Sequence, residues 1–153
     1  MSKVCVLGLG YIGLPTASML ASAGHEVIGY DVRDDVVRMI NEGRSHFHEP
    51  DLDMLLAAAV KTGRLVAMNT PVEAEVYIIA VPTPFKDNKT PDMSYVDAAT
   101  DMMVPFLRAG STIILESTSP VGTTERIADR IGEKRGDLYV PRYKDEDEVK
   151  GQL

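Results

Sequence analysis

The stretch KVCVLGLGYIG, residues 3–13, restricts the fold more than any other part of the chain. Residues 3–9 form an apolar run with no polar alternation, the mark of a strand covered on both faces, as in parallel sheets. Three glycines follow at the spacing Gly8-x-Gly10-x-x-Gly13. Residues 12–23 then read as a helix rich in small side chains. Pro15 falls in its first turn, where a missing N–H costs little, and Gly24 stops it. A buried strand that passes through a glycine turn directly into a helix is one unit of a layered α/β domain.

The rest of the chain repeats that alternation. Glu26–Tyr30 reads as a second strand with Asp31 at its carboxyl end, and 34–42 as a helix closed by Gly43. After a loop over 44–50, residues 51–61 form a helix with acids first, a lysine last and Gly63 as the stop. Strands are expected at 64–68 and 76–81, followed by a long polar loop over 82–92. A helix capped by Ser94 is expected to run to about Arg108, kinked by Pro105. A fifth strand at 111–115, a helix at Thr123–Lys134 and a short sixth strand at 138–140 complete the pattern. Strands alternating with helices point to a Rossmann-type, doubly wound parallel sheet in a three-layer α/β/α arrangement, with strand order 3-2-1-4-5-6. Residues 1–140 form this domain. Residues 142–153 are almost wholly polar and too poor in apolar surface to offset their ordering entropy, so 141–153 reads as a frayed tail.

In that context the glycine turn has a chemical reading. Gly8 permits the tight turn, Gly10 lets the backbone approach a pyrophosphate, and Gly13 lets the helix pack close on the strand. The helix N-terminus carries a partial positive charge, and the N–H groups of Tyr11 and Ile12 would face the phosphates. Asp31 lies eighteen residues after Gly13, a spacing that suits a carboxylate accepting hydrogen bonds from the adenosine ribose. Its charge would repel a 2′-phosphate, which favours NAD over NADP. Arg33 could pair with such a phosphate or stay solvated. Two further segments, Val81-Pro82-Thr83-Pro84-Phe85 and Glu116-Ser117-Thr118-Ser119-Pro120-Val121-Gly122-Thr123-Thr124, follow the fourth and fifth strands, where ligands bind in such sheets. Their composition fits turn and cap chemistry equally well.

Those segments, with Gly8-Leu9-Gly10-Tyr11-Ile12-Gly13-Leu14-Pro15, occur in an order and spacing that resembles the N-terminal NAD-binding domain of the UDP-glucose/GDP-mannose dehydrogenase family. The resemblance covers roughly residues 3 to 139. Within the family, Glu49-Pro50-Asp51-Leu52 and Pro91-Asp92-Met93-Ser94-Tyr95-Val96 are most similar to the branch that oxidises UDP-N-acetyl-D-mannosamine. UDP-glucose and GDP-mannose remain alternative substrates. The resemblance implies oxidation of the sugar C6 hydroxymethyl to a carboxylate with two NAD reduced, through a cysteine-bound intermediate. It implies NAD contacts at Tyr11, Ile12, Asp31, Thr83 and Thr118. Thr118 matches the family's active-site threonine, near the nicotinamide and a catalytic water. Family members are considerably longer, adding a helical dimerisation segment and a UDP-sugar-binding domain with the catalytic cysteine. The expectation is therefore NAD binding without dehydrogenase activity from this chain alone, UDP-sugar binding only in the full-length enzyme, and a homodimer as one possible assembly. A stand-alone dinucleotide-binding regulatory module is a second reading, and other dehydrogenases that share only the glycine turn are a third.

The net charge of −7 argues against nucleic acid or an anionic membrane as the main partner. With no apolar run of membrane-spanning length and no signal-peptide pattern, the chain reads as cytoplasmic. Cys5, the single cysteine, falls within the first strand and reads as a buried small hydrophobe that cannot stand in for the family's nucleophile. His46 and His48, with Glu49 beside them, read as a surface loop and not a metal site. Met39, Met54, Met102 and Met103 sit at core-like helical spacings.

Overall fold

A computed structural model of the chain describes residues 1–87 and 89–141. Five strands, β1 (Lys3–Leu7), β2 (Glu26–Tyr30), β3 (Leu65–Met68), β4 (Val76–Ile79) and β5 (Thr112–Leu115), form one parallel sheet in the order β3-β2-β1-β4-β5. In register, Val6 pairs with Gly29 on one side and Ile78 on the other, which makes β1 the central strand. The helices are α1 (Gly13–Ser22), α2 (Asp34–Asn41), α3 (Leu52–Lys61), α4 (Ser94–Met103) and α5 (Thr123–Lys134).

Because side chains alternate along a strand, β1 feeds two separate cores. Val4 and Val6 join Leu14 and Ala17 of α1, Val36 and Ile40 of α2, and Leu56 of α3. Cys5 and Leu7 face the other way, onto Val96 and Met103 of α4 and Ile127 and Ile131 of α5. The result is the expected three-layer sandwich. The chain winds outward from β1 to β3 and then crosses back to β4 on the far side of β1, so the carboxyl ends of β1 and β4 flank the crevice where such sheets bind ligands.

Specific polar groups close the two sides. The Asn41 side-chain amide donates to the Ala67 carbonyl at 2.9 Å and its oxygen accepts the Ala67 N–H at 2.8 Å, so the outer edge of β3 is paired although no strand lies beside it among the described residues. On the opposite face, Arg126 of α5 forks onto Asp97 of α4. One turn on, Arg130 and Lys134 both reach Asp101, at 2.5 and 2.7 Å. The Arg130 hydrogen bond, joined by that of Lys134, holds the Asp101 carboxyl down to about 2. Tyr77, fully buried in β4, accepts the Ala74 N–H and donates within reach of the Val72 and Phe106 carbonyls, tying the strand's entry loop to the turn that follows α4.

Several expectations are corrected. Residues 138–140 form no strand: the Leu138 N–H closes a turn onto the Arg135 carbonyl, and Leu138 and Val140 pack their side chains against the α4–α5 core instead of pairing with β5. Ser94 does not cap α4. Its own N–H is received by the Asp92 carboxylate at 3.0 Å, so the capping oxygen lies two residues earlier. That helix ends at Met103, and Pro105 sits in a short 3₁₀ turn, Val104–Phe106, because proline cannot supply the next helical N–H. Of the four methionines, Met103 is fully buried, whereas Met54 is 73% and Met102 40% exposed. Residues 142–153 lie outside the described part.

Candidate functional site

The three glycines of the first turn have different surroundings. Gly8 has φ +94°, and a Cβ there would lie 2.8 Å from the Ala80 carbonyl oxygen. A Cβ at Gly13 would lie 1.8 Å from the Gly8 carbonyl oxygen and 3.2 Å from Ala80 Cβ, so this glycine is what lets α1 sit against the turn and β4. Gly10 differs from both. It has no positive φ, and a Cβ would meet nothing within 4 Å. Nothing among the described residues demands glycine at this position. The open space beside it demands one if a ligand's pyrophosphate occupies that space, which is the role assigned to the middle glycine of such turns.

The neighbouring helix end is built to match. No described side chain caps the N-terminus of α1, whose N-cap residue is Ile12. Leu14 donates its N–H to the Gly10 carbonyl at 3.1 Å and Pro15 has none to give, so the Gly13 N–H, with those of Tyr11 and Ile12 before it, is what the positive end of the helix offers an anion. The Tyr11 and Ile12 side chains are 74% and 58% exposed.

Asp31 stands where β2 ends, half-buried. One carboxylate oxygen accepts the Leu9 N–H at 2.9 Å, and the other accepts the Arg33 N–H at 3.0 Å. The residue expected to grip ribose thus also ties the glycine turn to β2, a second role that the sequence did not suggest. Asp31, Gly8, Gly10 and Arg33 line one cavity of about 310 Å³, together with Val81 and Pro82 from the β4 exit. The Arg33 guanidinium is forked onto Asp35, Nε to Oδ1 at 3.2 Å and Nη2 to Oδ2 at 2.5 Å.

His46 also lines this cavity, which corrects its reading as a plain surface loop. Its imidazole packs edge-on to Phe47 at 4.8 Å, and Phe47 in turn stacks on Tyr11 at 4.4 Å, so the 44–50 loop is clamped onto the glycine turn. The His46 Nδ1 is buried without a hydrogen-bond partner among the described residues, and burial, with the Arg33 cation nearby, pushes the imidazole below its ordinary value. The aromatic contact joins positions far apart in sequence, and the spacing of the loop residues carried no sign of it. No group of three or more His, Cys, Asp or Glu among the described residues could hold a metal ion.

The other expected contacts lie beyond this cavity. Thr83, after β4, donates its hydroxyl to the Thr118 carbonyl at 2.7 Å, and Ser117 donates to the Val81 carbonyl at 2.7 Å. The proline-bracketed loop after β4 and the hydroxyl-rich loop after β5 are therefore fastened together, with Thr118 exposed at their rim. Glu116, first of the β5 loop, accepts a hydrogen bond from Thr16 of α1 at 3.1 Å and links this side back to the helix. Cys5 is fully buried in β1, and burial pushes its thiol up to about 11, which leaves it inert as a nucleophile.

The sequence profile of the UDP-glucose/GDP-mannose dehydrogenase family, NAD binding domain, matches residues 2–145. An NDP-N-acetyl-D-galactosaminuronic acid dehydrogenase of Ralstonia nicotianae is 52% identical over 144 residues, 94% of this chain and 34% of that protein. A UDP-N-acetyl-D-mannosamine dehydrogenase of Campylobacter jejuni is 50% identical over 141 residues, 92% of this chain and 35% of that protein. The solved UDP-N-acetyl-mannosamine dehydrogenase of Staphylococcus aureus superposes with a TM-score of 0.84 at 38% identity, over 90% of this chain and 35% of that one. This chain spans about a third of the length of these relatives. With a profile match over nearly all its length, and with a glycine turn leading into an uncapped helix end at the sheet's crevice, the chain belongs to the UDP-glucose/GDP-mannose dehydrogenase family, as its NAD-binding domain.

Proposed function

We propose that this chain holds NAD for a dehydrogenase that oxidises the C6 hydroxymethyl of a nucleotide-linked N-acetylhexosamine, UDP-N-acetyl-D-mannosamine foremost, to the corresponding uronate. The observation that carries the reading is Gly10, a glycine that the chain's own packing does not require, set beside open space at an uncapped helix N-terminus. Asp31 takes the adenosine ribose hydroxyls while keeping its hold on the Leu9 N–H, since a carboxylate has lone pairs enough for both. Tyr11 and Ile12 offer backbone N–H groups to the phosphates. Thr83 and Thr118, fastened to each other, border the nicotinamide end, with Thr118 positioning water beside it. Bound NAD supplies the hydride acceptor.

The choice of an N-acetylhexosamine follows from the relatives, whose names share that sugar class although they differ in the sugar itself. Sugar oxidation is proposed for a protein of the relatives' full length, because the only thiol in this chain is walled into β1. A cytoplasmic location suits the reading, since NAD and nucleotide sugars are both found there.

The test is calorimetric titration of NAD into the chain and its Asp31→Ala variant. Losing two charged hydrogen bonds to ribose weakens binding by at least about tenfold. An unchanged dissociation constant would remove Asp31 from the site.

A further inference from the structure

The adenosine end of the cavity contains a cation that is already engaged. Arg33 is the one arginine among the described residues lining it. In dinucleotide-binding domains an arginine near the end of the second strand accommodates the 2′-phosphate of NADP. Here the guanidinium turns onto the first turn of α2, where Nε and Nη2 both meet the Asp35 carboxylate. The fork takes the Nε–Nη2 edge, one of the two edges on which a guanidinium grips a phosphate bidentately, and holds the group in the direction of Asp35. The Arg33 backbone is fixed as well, since its N–H is held by Asp31, so the side chain leaves the strand end in the direction of Asp35. His46 offers no substitute cation: burial and the Arg33 charge beside it favour the neutral imidazole.

We propose that Asp35 is a cofactor-specificity residue, one that withdraws Arg33 from the adenosine pocket by pairing with it and so leaves a 2′-phosphate facing the Asp31 carboxylate without a free guanidinium. Discrimination against NADP then has two parts, the charge of Asp31 and the sequestering of Arg33. Asp35 acts through Arg33 and is not among the residues lining the cavity, so it is a positioning residue. The inference rests on the NAD reading of the site and adds how that site rejects the phosphorylated cofactor.

The experiment measures the ratio of dissociation constants for NADP and NAD by calorimetry on the chain, Asp35→Ala, Asp35→Asn and the double variant Arg33→Ala/Asp35→Ala. Asp35→Ala frees the guanidinium and lowers the ratio by about threefold to fivefold, the limit that solvent screening sets on an ion pair this exposed. Asp35→Asn, which keeps the side-chain size, lowers it less. The double variant returns the ratio to the parent value or above, because the gain depends on Arg33. A ratio unmoved in Asp35→Ala overturns the proposal, and so does a double variant that keeps the whole gain, since deletion of a negative charge would then account for it. Asp35 is exposed, and far-UV circular dichroism confirms that each variant is folded. Failure of the parent chain to bind NAD defeats the site reading itself. Normal NAD binding with an unmoved ratio defeats only the role of Asp35.

Discussion

Replacing Gly10 with alanine separates the binding role of the glycine turn from its structural role. The added methyl finds no protein atom within 4 Å, and the backbone there has no positive φ. Folding stability is therefore unchanged or rises by up to about 1 kcal/mol, because alanine narrows the unfolded ensemble. For a domain of this size that is a rise in melting temperature of at most about 4 °C. NAD affinity responds in the opposite sense. The methyl stands where the pyrophosphate must approach, and forcing one methyl into a filled contact costs about 1–3 kcal/mol, roughly fivefold to hundredfold in the dissociation constant. Gly13→Ala is the counterpart: its Cβ would sit 1.8 Å from a backbone oxygen that cannot swing away, so it destabilises by about 3 kcal/mol or more whatever the ligand. Differential scanning calorimetry and isothermal titration on the two variants read both effects. Gly10→Ala binding NAD with the parent constant, or melting as low as Gly13→Ala, would refute the reasoning.

Two further outcomes concern the scaffold. Asn41→Ala leaves the Ala67 N–H and C=O at the β3 edge unpaired and lowers stability by about 1–3 kcal/mol in urea unfolding; a midpoint equal to the parent's would show that water replaces the amide fully. Asp101, held at about 2 against an ordinary 3.8, contributes stability that is fully present above pH 4 and is lost as pH falls through 2. With its side chain one-third exposed, solvent screening limits that contribution to about 1 kcal/mol. Asp101→Asn melts lower at pH 7 and converges with the parent near pH 2, and parallel melting curves across that range would contradict the assignment.

What could be read from sequence was what local chemistry decides. The β1–α1–β2 unit follows from an unbroken apolar run, three glycines at defined offsets and an acid at the next strand end, all of which act within a few residues of chain. The Gly8 and Gly13 contacts confirm why those offsets matter. The misreadings arose where a distant element decides. Residues 138–140 look like a strand in composition, but their side chains are taken by the α4–α5 core. Met54 has helical core spacing yet lies on the exposed side of α3, since that helix buries Leu52, Leu56 and Ala59. Among the candidate site residues, Asp31 stands out in the sequence because its spacing from the glycines is what ribose binding in such a turn requires. Its hold on the Leu9 N–H was not legible there, nor was the place of His46 beside it, because both depend on how the 44–50 loop and the glycine turn come together. The pairing of Arg33 with Asp35 was within reach of sequence, two residues apart, but the choice between solvent, phosphate and carboxylate required coordinates.

The most direct test of the account is a crystal structure of this chain grown with NAD. It should show the pyrophosphate over Gly10 at the N-terminus of α1 and both adenosine ribose hydroxyls within about 3 Å of the Asp31 carboxylate. A dinucleotide seated away from the glycine turn, or one whose ribose leaves Asp31 untouched, would contradict it.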